Sequence, residues 1–116
     1  MLVRNLTRDA VLGDRVGVAA ASQERRRGLL GRDSLPAGGG LWIAPCEAVH
    51  TFCMRFSIDV LFLNRKLVVV KVREHMPPWR LSGSLRAHST LELPAGTVQE
   101  TGTRVGDQLA FAEEST

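Results

Sequence analysis

The stretch that decides the fold runs from His50 to Leu63 and reads HTFCMRFSIDVLFL. From Phe52 onward every even-numbered position is apolar, while the odd positions carry small or polar residues as far as Asp59. Side chains of a β-strand alternate between its two faces, so this period of two predicts a strand with one face in the core. Leu61 and Leu63 make the second face apolar as well, which predicts that both faces are buried toward the end of the strand.

Shorter segments of the same kind lie on both sides of this stretch. The further predicted strands cover residues 2–7, 15–21, 41–43, 67–72, 87–93 and 108–111. Turn residues separate the segments about every ten positions, a spacing typical of β-barrels and sandwiches. Ser22 as an N-cap and Gly31 as a stop predict one short helix at about residues 22–31. Since one short helix cannot supply the crossovers of a parallel sheet, we predict a mainly β fold, a compact antiparallel β-barrel or sandwich.

The composition is that of one ordinary folded domain covering residues 1–116. Of the 116 residues, 44% are hydrophobic and 23% are charged, which excludes disordered and low-complexity classes. The net charge of +3, carried by 13 Arg and 2 Lys against 12 acidic side chains, is too small to indicate nucleic acid. The absence of Tyr also leaves few aromatic rings for base stacking, so we predict no nucleic-acid partner.

The sequence predicts a cytoplasmic, reduced location. Its two cysteines, Cys46 and Cys53, are too few for the disulfide scaffold of a secreted domain. The first nine residues contain no apolar signal core. No run approaches the 18 or more apolar residues of a transmembrane helix, so we predict no membrane span.

Three blocks of sequence resemble one known family. The first comprises RGLLGR at 27–32, GLWI at 40–43 and Pro45-Cys46; the second is the stretch at 50–63; the third is LELPAG at 91–96, followed by Gly106-Asp107. In this order, and over nearly the whole chain, they resemble the domain of unknown function 192 family of prokaryotes. The resemblance implies a compact, mainly β single domain, and it implies no established activity, cofactor or partner.

Cys46, His50 and Cys53 form the most chemically suggestive cluster of the chain. Thiolate and imidazole are zinc ligands, and His75 or His88 could complete a four-coordinate site. Closely paired Cys-x₂-Cys knuckles are absent, however, and on an extended strand His50 and Cys53 project from opposite faces, so we predict no metal and no cofactor. The pair of Cys46 and His50 also has the residue types of a nucleophile and its base.

Charged residues form a second set. Asp59 lies among apolar residues, so its carboxylate is expected near the core with a backbone N–H or an Arg partner, because unpaired burial costs several kcal/mol. Arg55, together with Arg27 or Arg32, is the candidate for binding an anionic group, since guanidinium pairs with carboxylate or phosphate in a bidentate way. Glu92 lies in a predicted strand next to the turn at 94–96 and is expected to supply a polar contact.

These residues favour a binding module over an enzyme. The predicted cleft lies between the segment 46–55 and the turn at 91–96 and takes a small anionic ligand or a peptide. The predicted ligand-binding residues are Cys46, His50, Arg55, Asp59, Glu92, Arg27 and Arg32. Two alternatives stay open: a hydrolase or transferase that uses Cys46 and His50, and a protein-interaction domain that uses the loop at 76–80, which exposes Trp79 and Arg80.

Overall fold

The structure is a computed structural model, and it describes residues 1–21, 25, 28–29, 32–52 and 54–113. The elements whose bounds are described are ten β-strands and one five-residue helix. The elements are β1 (Leu2–Asn5), β2 (Ala10–Gly13), β3 (Arg15–Ala19), β4 (Gly39–Ile43), β5 (Ala48–His50), β6 (Ile58–Leu63), β7 (Val69–Met76), β8 (Leu81–Gly83), β9 (Ser89–Pro94), α1 (Thr97–Thr101) and β10 (Leu109–Ala112). The prediction of a mainly β chain is confirmed.

The strands form three sheets. The largest has the order β3-β4-β9-β6-β7, the second has the order β10-β1-β2, and β5 and β8 form a two-stranded ribbon. The largest sheet is open, with β3 and β7 at its edges, so the architecture is sandwich-like and not a closed barrel. In this arrangement β9 is central, with β4 on one side and β6 on the other.

One strand pair is parallel, which the sequence did not predict. β3 runs parallel to β4, with Arg15 opposite Gly39 and Ala19 opposite Ile43, whereas the other strand pairs of the three sheets are antiparallel. The connection between the two strands spans residues 20–38. A crossover needs a dozen or more residues of chain but not a long helix, so the argument from helix content was wrong at this pair.

The core lies on both faces of the central sheet. All six residues of β6 are buried, and its apolar side chains divide between two apolar clusters. Val60 and Phe62 join one cluster, while Leu61 and Leu63 join the other. The predicted burial of both faces is therefore confirmed, and each such side chain contributes about 1.5–3 kcal/mol by leaving water.

The strand predicted from Phe52 onward is wrong in its first half, because β5 ends at His50 and β6 begins only at Ile58. The segment between them turns away from the sheet: the N–H of Met54 bonds to the carbonyl of Thr51, and the backbone N–H of Thr51 bonds to a loop carbonyl. Phe52, expected in the core, is 42% exposed. The alternation of apolar residues therefore begins at Phe52, well before Ile58, where the backbone starts to pair in the sheet.

The helix predicted at about 22–31 falls mostly outside the described residues. Of the three that are described, Arg25 is helical, whereas Gly28 has φ of +50°, a left-handed conformation that a right-handed helix does not contain. The helix α1 was missed. It begins after Gly96, its N-cap residue, whose φ of +98° favours glycine.

Candidate functional site

A cavity of about 250 Å³ opens beside β4, β5 and β9. The residues that line it are Arg25, Gly28, Leu29, Ile43, Cys46, Ala48, Val49, His50, Met54 and Glu92. The wall is partly apolar and partly polar, and its polar side chains, which belong to Arg25, Cys46, His50 and Glu92, come from four different segments of the chain. Three of the residues singled out in the sequence, Cys46, His50 and Glu92, are therefore brought together.

Glu92 is the buried acid of this cavity. It lies in β9 opposite Leu41 of β4 and Val60 of β6, and it is only 3% exposed. Its Oε1 atom is buried and accepts no hydrogen bond from the described part of the chain. Burial raises the pKa of Glu92 to about 7, while the positive charge of Arg32 offsets part of that rise. A buried acceptor without a donor costs about 1–3 kcal/mol, so this arrangement is unfavourable unless a further group donates to Oε1.

Gly28 keeps the space in front of this carboxyl open. A Cβ at this position would lie 3.6 Å from Oε1 of Glu92, in van der Waals contact with the atom that lacks a donor. The backbone of Gly28 has φ of +50°, which L side chains rarely adopt. The glycine thus places backbone, without a side chain, against the acid.

Cys46 lies on the loop between β4 and β5, after the cis peptide bond of Ala44–Pro45. Its backbone N–H bonds to the carbonyl of His88, and its thiol donates to the carbonyl of Ala48 over 3.1 Å. The thiol is free and half-buried. Cys46 is therefore a fixed part of the cavity wall whose S–H group already has an acceptor.

His50 is the last residue of β5 and lies at the rim of the cavity, where it is exposed. Its ring stacks on Phe52 with centroids 5.0 Å apart, and Phe52 stacks on Trp79 with centroids 6.0 Å apart. Trp79 is 61% exposed and has φ of +66°. We call these three rings the aromatic stack. It extends the rim of the cavity onto the surface.

Thr51 holds the loop that carries the stack. It is fully buried, and its hydroxyl donates to the carbonyl of Pro77 over 2.6 Å and accepts from the N–H of Arg80 over 2.9 Å. Its carbonyl accepts from the N–H of Trp79, and its own N–H bonds to the carbonyl of Arg80. These bonds keep Trp79 in a left-handed conformation that costs on the order of 1–3 kcal/mol for a residue other than glycine.

We expect Thr51→Val to lower the free energy of unfolding by about 1–2 kcal/mol and to loosen the aromatic stack, because it removes two hydrogen bonds of a buried hydroxyl. Chemical denaturation measures the first effect, and ¹⁵N relaxation of the Trp79 indole measures the second. Thr7→Val is the matched control, since the Thr7 hydroxyl accepts a single exposed bond from Gln108. An unchanged indole order parameter in Thr51→Val would contradict this role.

Arg55, predicted to bind an anion in the cleft, does not line the cavity. Its guanidinium lies 2.6 Å from the carboxylate of Asp33, and both side chains are more than 70% exposed. An ion pair at this exposure contributes little to stability because water and salt screen it. The chain leaves the sheet between His50 and Ile58, and this departure carries Arg55 away from the cavity.

Asp59 has the backbone partners expected of a buried carboxylate. It is fully buried; its Oδ1 accepts from the N–H of His75, and its Oδ2 accepts from the N–H groups of Gly96 and Val98. Successive strand residues face opposite sides of a sheet, and Asp59 is opposite Leu93, the neighbour of Glu92. Asp59 therefore joins β7 to the start of α1 on the side away from the cavity.

The remaining predicted site residues divide into two groups. Arg32 is exposed and acts on Glu92 through its charge, whereas Arg27 and Cys53 lie outside the described residues. Arg25 lines the cavity, and it was not among the residues that the sequence pointed to. No sequence signal separated it from its neighbours.

Within the described ranges, no three His, Cys, Asp or Glu side chains come close enough together to hold a metal ion. In the same ranges, no helix has the length and apolar character needed to cross a membrane.

Known proteins share this sequence pattern and this fold. The model of the domain of unknown function 192 family, described as an uncharacterised ACR, matches residues 4–111. A crystal structure of a protein of unknown function from Novosphingobium aromaticivorans is 18% identical, with a TM-score of 0.81, and the match covers 95% of this chain and 82% of that chain. A candidate transcription regulator from Sinorhizobium meliloti is 22% identical, with a TM-score of 0.81 and coverage of 94% and 89%. No curated protein matches the chain. At these identities the two structures show the fold alone.

Proposed function

The chain belongs to the domain of unknown function 192 family, and we propose that it is a binding module whose cavity at Glu92 takes a small molecule or a peptide side chain. The observation that carries the proposal is the Oε1 atom of Glu92, which is buried, lines a cavity and accepts no hydrogen bond from the described residues. Buried polar atoms are satisfied in the great majority of native structures. A ligand that donates to Oε1 would supply the missing bond.

The size and lining of the cavity support this proposal. A volume of about 250 Å³ lies just below the roughly 300–1,000 Å³ typical of drug-sized ligand sites, so it suits a small molecule or one side chain. Such sites combine apolar walls with a few polar groups that set the orientation, as Glu92, His50 and Cys46 would here. A buried acid with a shifted pKa in a concave site is also typical of functional positions.

An anionic ligand of the kind expected from the sequence would need a cation other than Arg55 in the cavity. Arg55 pairs with Asp33 outside the cavity, whereas Arg25 is the described arginine that lines it. An anionic substituent of the ligand would therefore face Arg25, while its hydrogen-bond donor would face Glu92. The donor is the part that the proposal requires, because, of the buried polar atoms that lack a partner in the described residues, Oε1 of Glu92 is the one that belongs to a residue of this cavity.

The alternative of a thiol enzyme has less support from the same geometry. Cys46 and His50 do line one cavity, as a nucleophile and its base would. The Cys46 thiol, however, donates to the carbonyl of Ala48, a bond that only the protonated thiol can make. Nucleophilic attack needs the thiolate, which this carbonyl would repel, so we favour binding over thiol catalysis.

We expect several members of a small-molecule panel of amines, amides, alcohols, sugars, carboxylates and phosphates to raise the melting temperature of the protein. A ligand at one hundred times its Kd stabilises the folded state by about 2.7 kcal/mol. The variant Glu92→Met, which keeps the side-chain volume and removes the acceptor, should weaken the binding of these compounds at least tenfold. The matched control is Glu47→Met, at an exposed glutamate of the neighbouring loop. The proposal would be wrong if no compound of the panel raised the melting temperature, or if the rise persisted in Glu92→Met.

A further inference from the structure

Resting on this proposed function, we infer that the group that meets Glu92 is an aliphatic ammonium, carried by a lysine side chain or by a free alkylamine. The inference names the chemistry of the ligand, which neither the family nor the related structures assign. It depends on what lies between the acid and the rim of the cavity.

The cavity has an acid at its inner wall and apolar side chains along its length. Glu92 is 3% exposed, while His50 at the rim is exposed, so the carboxyl lies deep and the imidazole lies near the surface. The apolar residues of the wall are themselves 2–8% exposed and comprise Leu29, Ile43, Val49 and Met54. An unbranched methylene chain would contact these side chains and place its terminal nitrogen at the acid.

A sugar or another polyol fits this lining poorly. Each hydroxyl that faced Leu29, Ile43, Val49 or Met54 would lose its water and find no partner, which is costly for a polar group. A single terminal donor has no such difficulty, because its polar end meets the carboxyl of Glu92.

Charge distinguishes an ammonium from a neutral donor. Hydrogen bonds between ionised partners are roughly twice as strong as neutral ones. Burial raises the pKa of Glu92 to about 7, so an ammonium that approaches it near neutral pH also draws the carboxyl into its ionised form. A neutral alcohol or amide provides no such gain.

Among the described residues, the other charged and titratable groups around Glu92 are Arg25, Arg32, His50 and Cys46. The guanidinium of Arg25 donates to the carbonyl of Ala20 and Arg32 is exposed, so both cations lie where other groups or water solvate them. They reduce the attraction for an ammonium without occupying its place on Oε1. On the neighbouring strand β6, Asp59 faces the other side of the sheet.

The aromatic stack favours the lysine of a peptide as the source of the ammonium. A peptide with its lysine in the cavity would lay the adjoining residues over the rim, where Phe52 is 42% and Trp79 is 61% exposed. Aromatic rings attract a passing cation and offer apolar contact, and tryptophan is enriched where proteins bind one another. Thr51 holds the ring of Trp79 there at a conformational cost.

The test compares three probes of one chain length, n-pentylamine, n-pentanol and pentanoate, by NMR titration between pH 5.5 and 8.5. We expect n-pentylamine to bind at least tenfold more tightly than n-pentanol at pH 7.5. Its affinity should fall about tenfold per pH unit well below pH 7 and level off above it, because protonated Glu92 cannot pair with the ammonium. In Glu92→Gln this dependence should disappear, whereas it should persist in His50→Gln.

Equal or tighter binding of n-pentanol or pentanoate, or amine binding that does not change with pH, would overturn the inference. A panel compound that is not an amine and needs Glu92 would overturn it while leaving the proposed function intact, and a wholly inert panel would overturn both.

A second comparison identifies the source of the ammonium. A short blocked peptide with one lysine should bind more tightly than n-pentylamine, and its Nε-acetylated form should lose that affinity. Trp79→Ala should weaken the binding of the peptide severalfold and leave that of n-pentylamine unchanged, since Trp79 is 61% exposed and is not one of the residues that line the cavity. If peptide and amine bind equally in both proteins, the ligand is the free amine, and if the acetylated peptide binds as well as the parent, the ammonium is not recognised.

Discussion

Replacing Asp59 by alanine is expected to lower the free energy of unfolding by about 3–5 kcal/mol, which is close to the whole stability of many domains of this size. The carboxylate is fully buried and accepts three backbone N–H groups, from His75, Gly96 and Val98. Without it these donors stay buried and unpaired, and each one costs about 1–3 kcal/mol before the chain relaxes. Urea denaturation measures the loss.

Asp59→Asn supplies a second variant in case the alanine protein does not fold. An amide oxygen can accept in place of one carboxylate oxygen, but the NH₂ group then faces a backbone donor, so an intermediate loss is expected. Hydrogen exchange should quicken at the three amides that the carboxylate holds. Asp9→Ala is the control, because the Asp9 side chain is 91% exposed and its pair with Arg4 contributes little. A loss below about 1 kcal/mol in Asp59→Ala would show that water replaces the carboxylate.

Replacing Glu92 by methionine is expected to have the opposite sign and to stabilise the protein by about 2–3 kcal/mol at pH 8. Burial raises the pKa of Glu92 from an ordinary 4.5 to about 7, so the folded protein binds this proton more tightly than the unfolded chain does. The ionisation of Glu92 therefore does not affect the free energy of unfolding below pH 4.5. It lowers this free energy progressively between pH 4.5 and 7 and has its full destabilising effect above pH 7. A rise of the pKa from 4.5 to about 7 corresponds to about 3 kcal/mol in the free energy of unfolding.

The measurement is the free energy of unfolding of both proteins at several pH values from 4.5 to 8. The difference between them should grow with pH over this range, and the growth is independent of any change in packing that methionine causes. Asp107 is present in both proteins and acts in the opposite direction. Its burial alone would raise its pKa, but hydrogen bonds from Arg8, Asn5 and the Arg104 backbone outweigh burial and lower it, so its contribution is lost only in acid. A difference that stays constant with pH would show that Glu92 is already paired or solvated.

The two expectations for Glu92 belong together. Functional residues often lower the stability of the fold, and a carboxyl that lowers stability and binds a ligand would be an example. Glu92→Met should therefore be the more stable protein and the weaker binder, whereas Asp59→Ala should lose stability without any specific loss at the cavity. Together the variants separate a residue that serves a ligand from one that serves the fold.

The fold was predictable from the sequence where the residue pattern and the backbone pairing agree. From Ile58 to Leu63 both faces are apolar, and in the structure β7 and β9 flank this strand in a five-stranded sheet. From Phe52 to Phe56 the same alternation was misleading, because the hydroxyl and the backbone of Thr51 bond to the loop at 77–80 instead of to a strand. A period of two reports which side chains are apolar, but it does not report which backbone groups find partners.

The sequence predicted part of the candidate site, but it did not predict the full set of residues that line the cavity. A cysteine after a proline, a histidine four positions later and an acid in an apolar strand indicated Cys46, His50 and Glu92, which line one cavity in the structure. Arg55 was a reasonable choice by charge, but the excursion of the chain after His50 pairs it with Asp33 in solvent.

The amino-acid sequence by itself determined that this protein is a β domain, since alternating apolar residues can leave water only when strands pair. It also determined that Asp59 would need a backbone N–H or an Arg partner, because burying an unpaired carboxylate is costly. Only the tertiary structure decided that Oε1 of Glu92 accepts no hydrogen bond from the described residues, that Arg25 and not Arg55 lines the cavity, and that β3 runs parallel to β4. These are outcomes of pairing between segments distant along the chain, and a local pattern holds no information on which distant groups will meet.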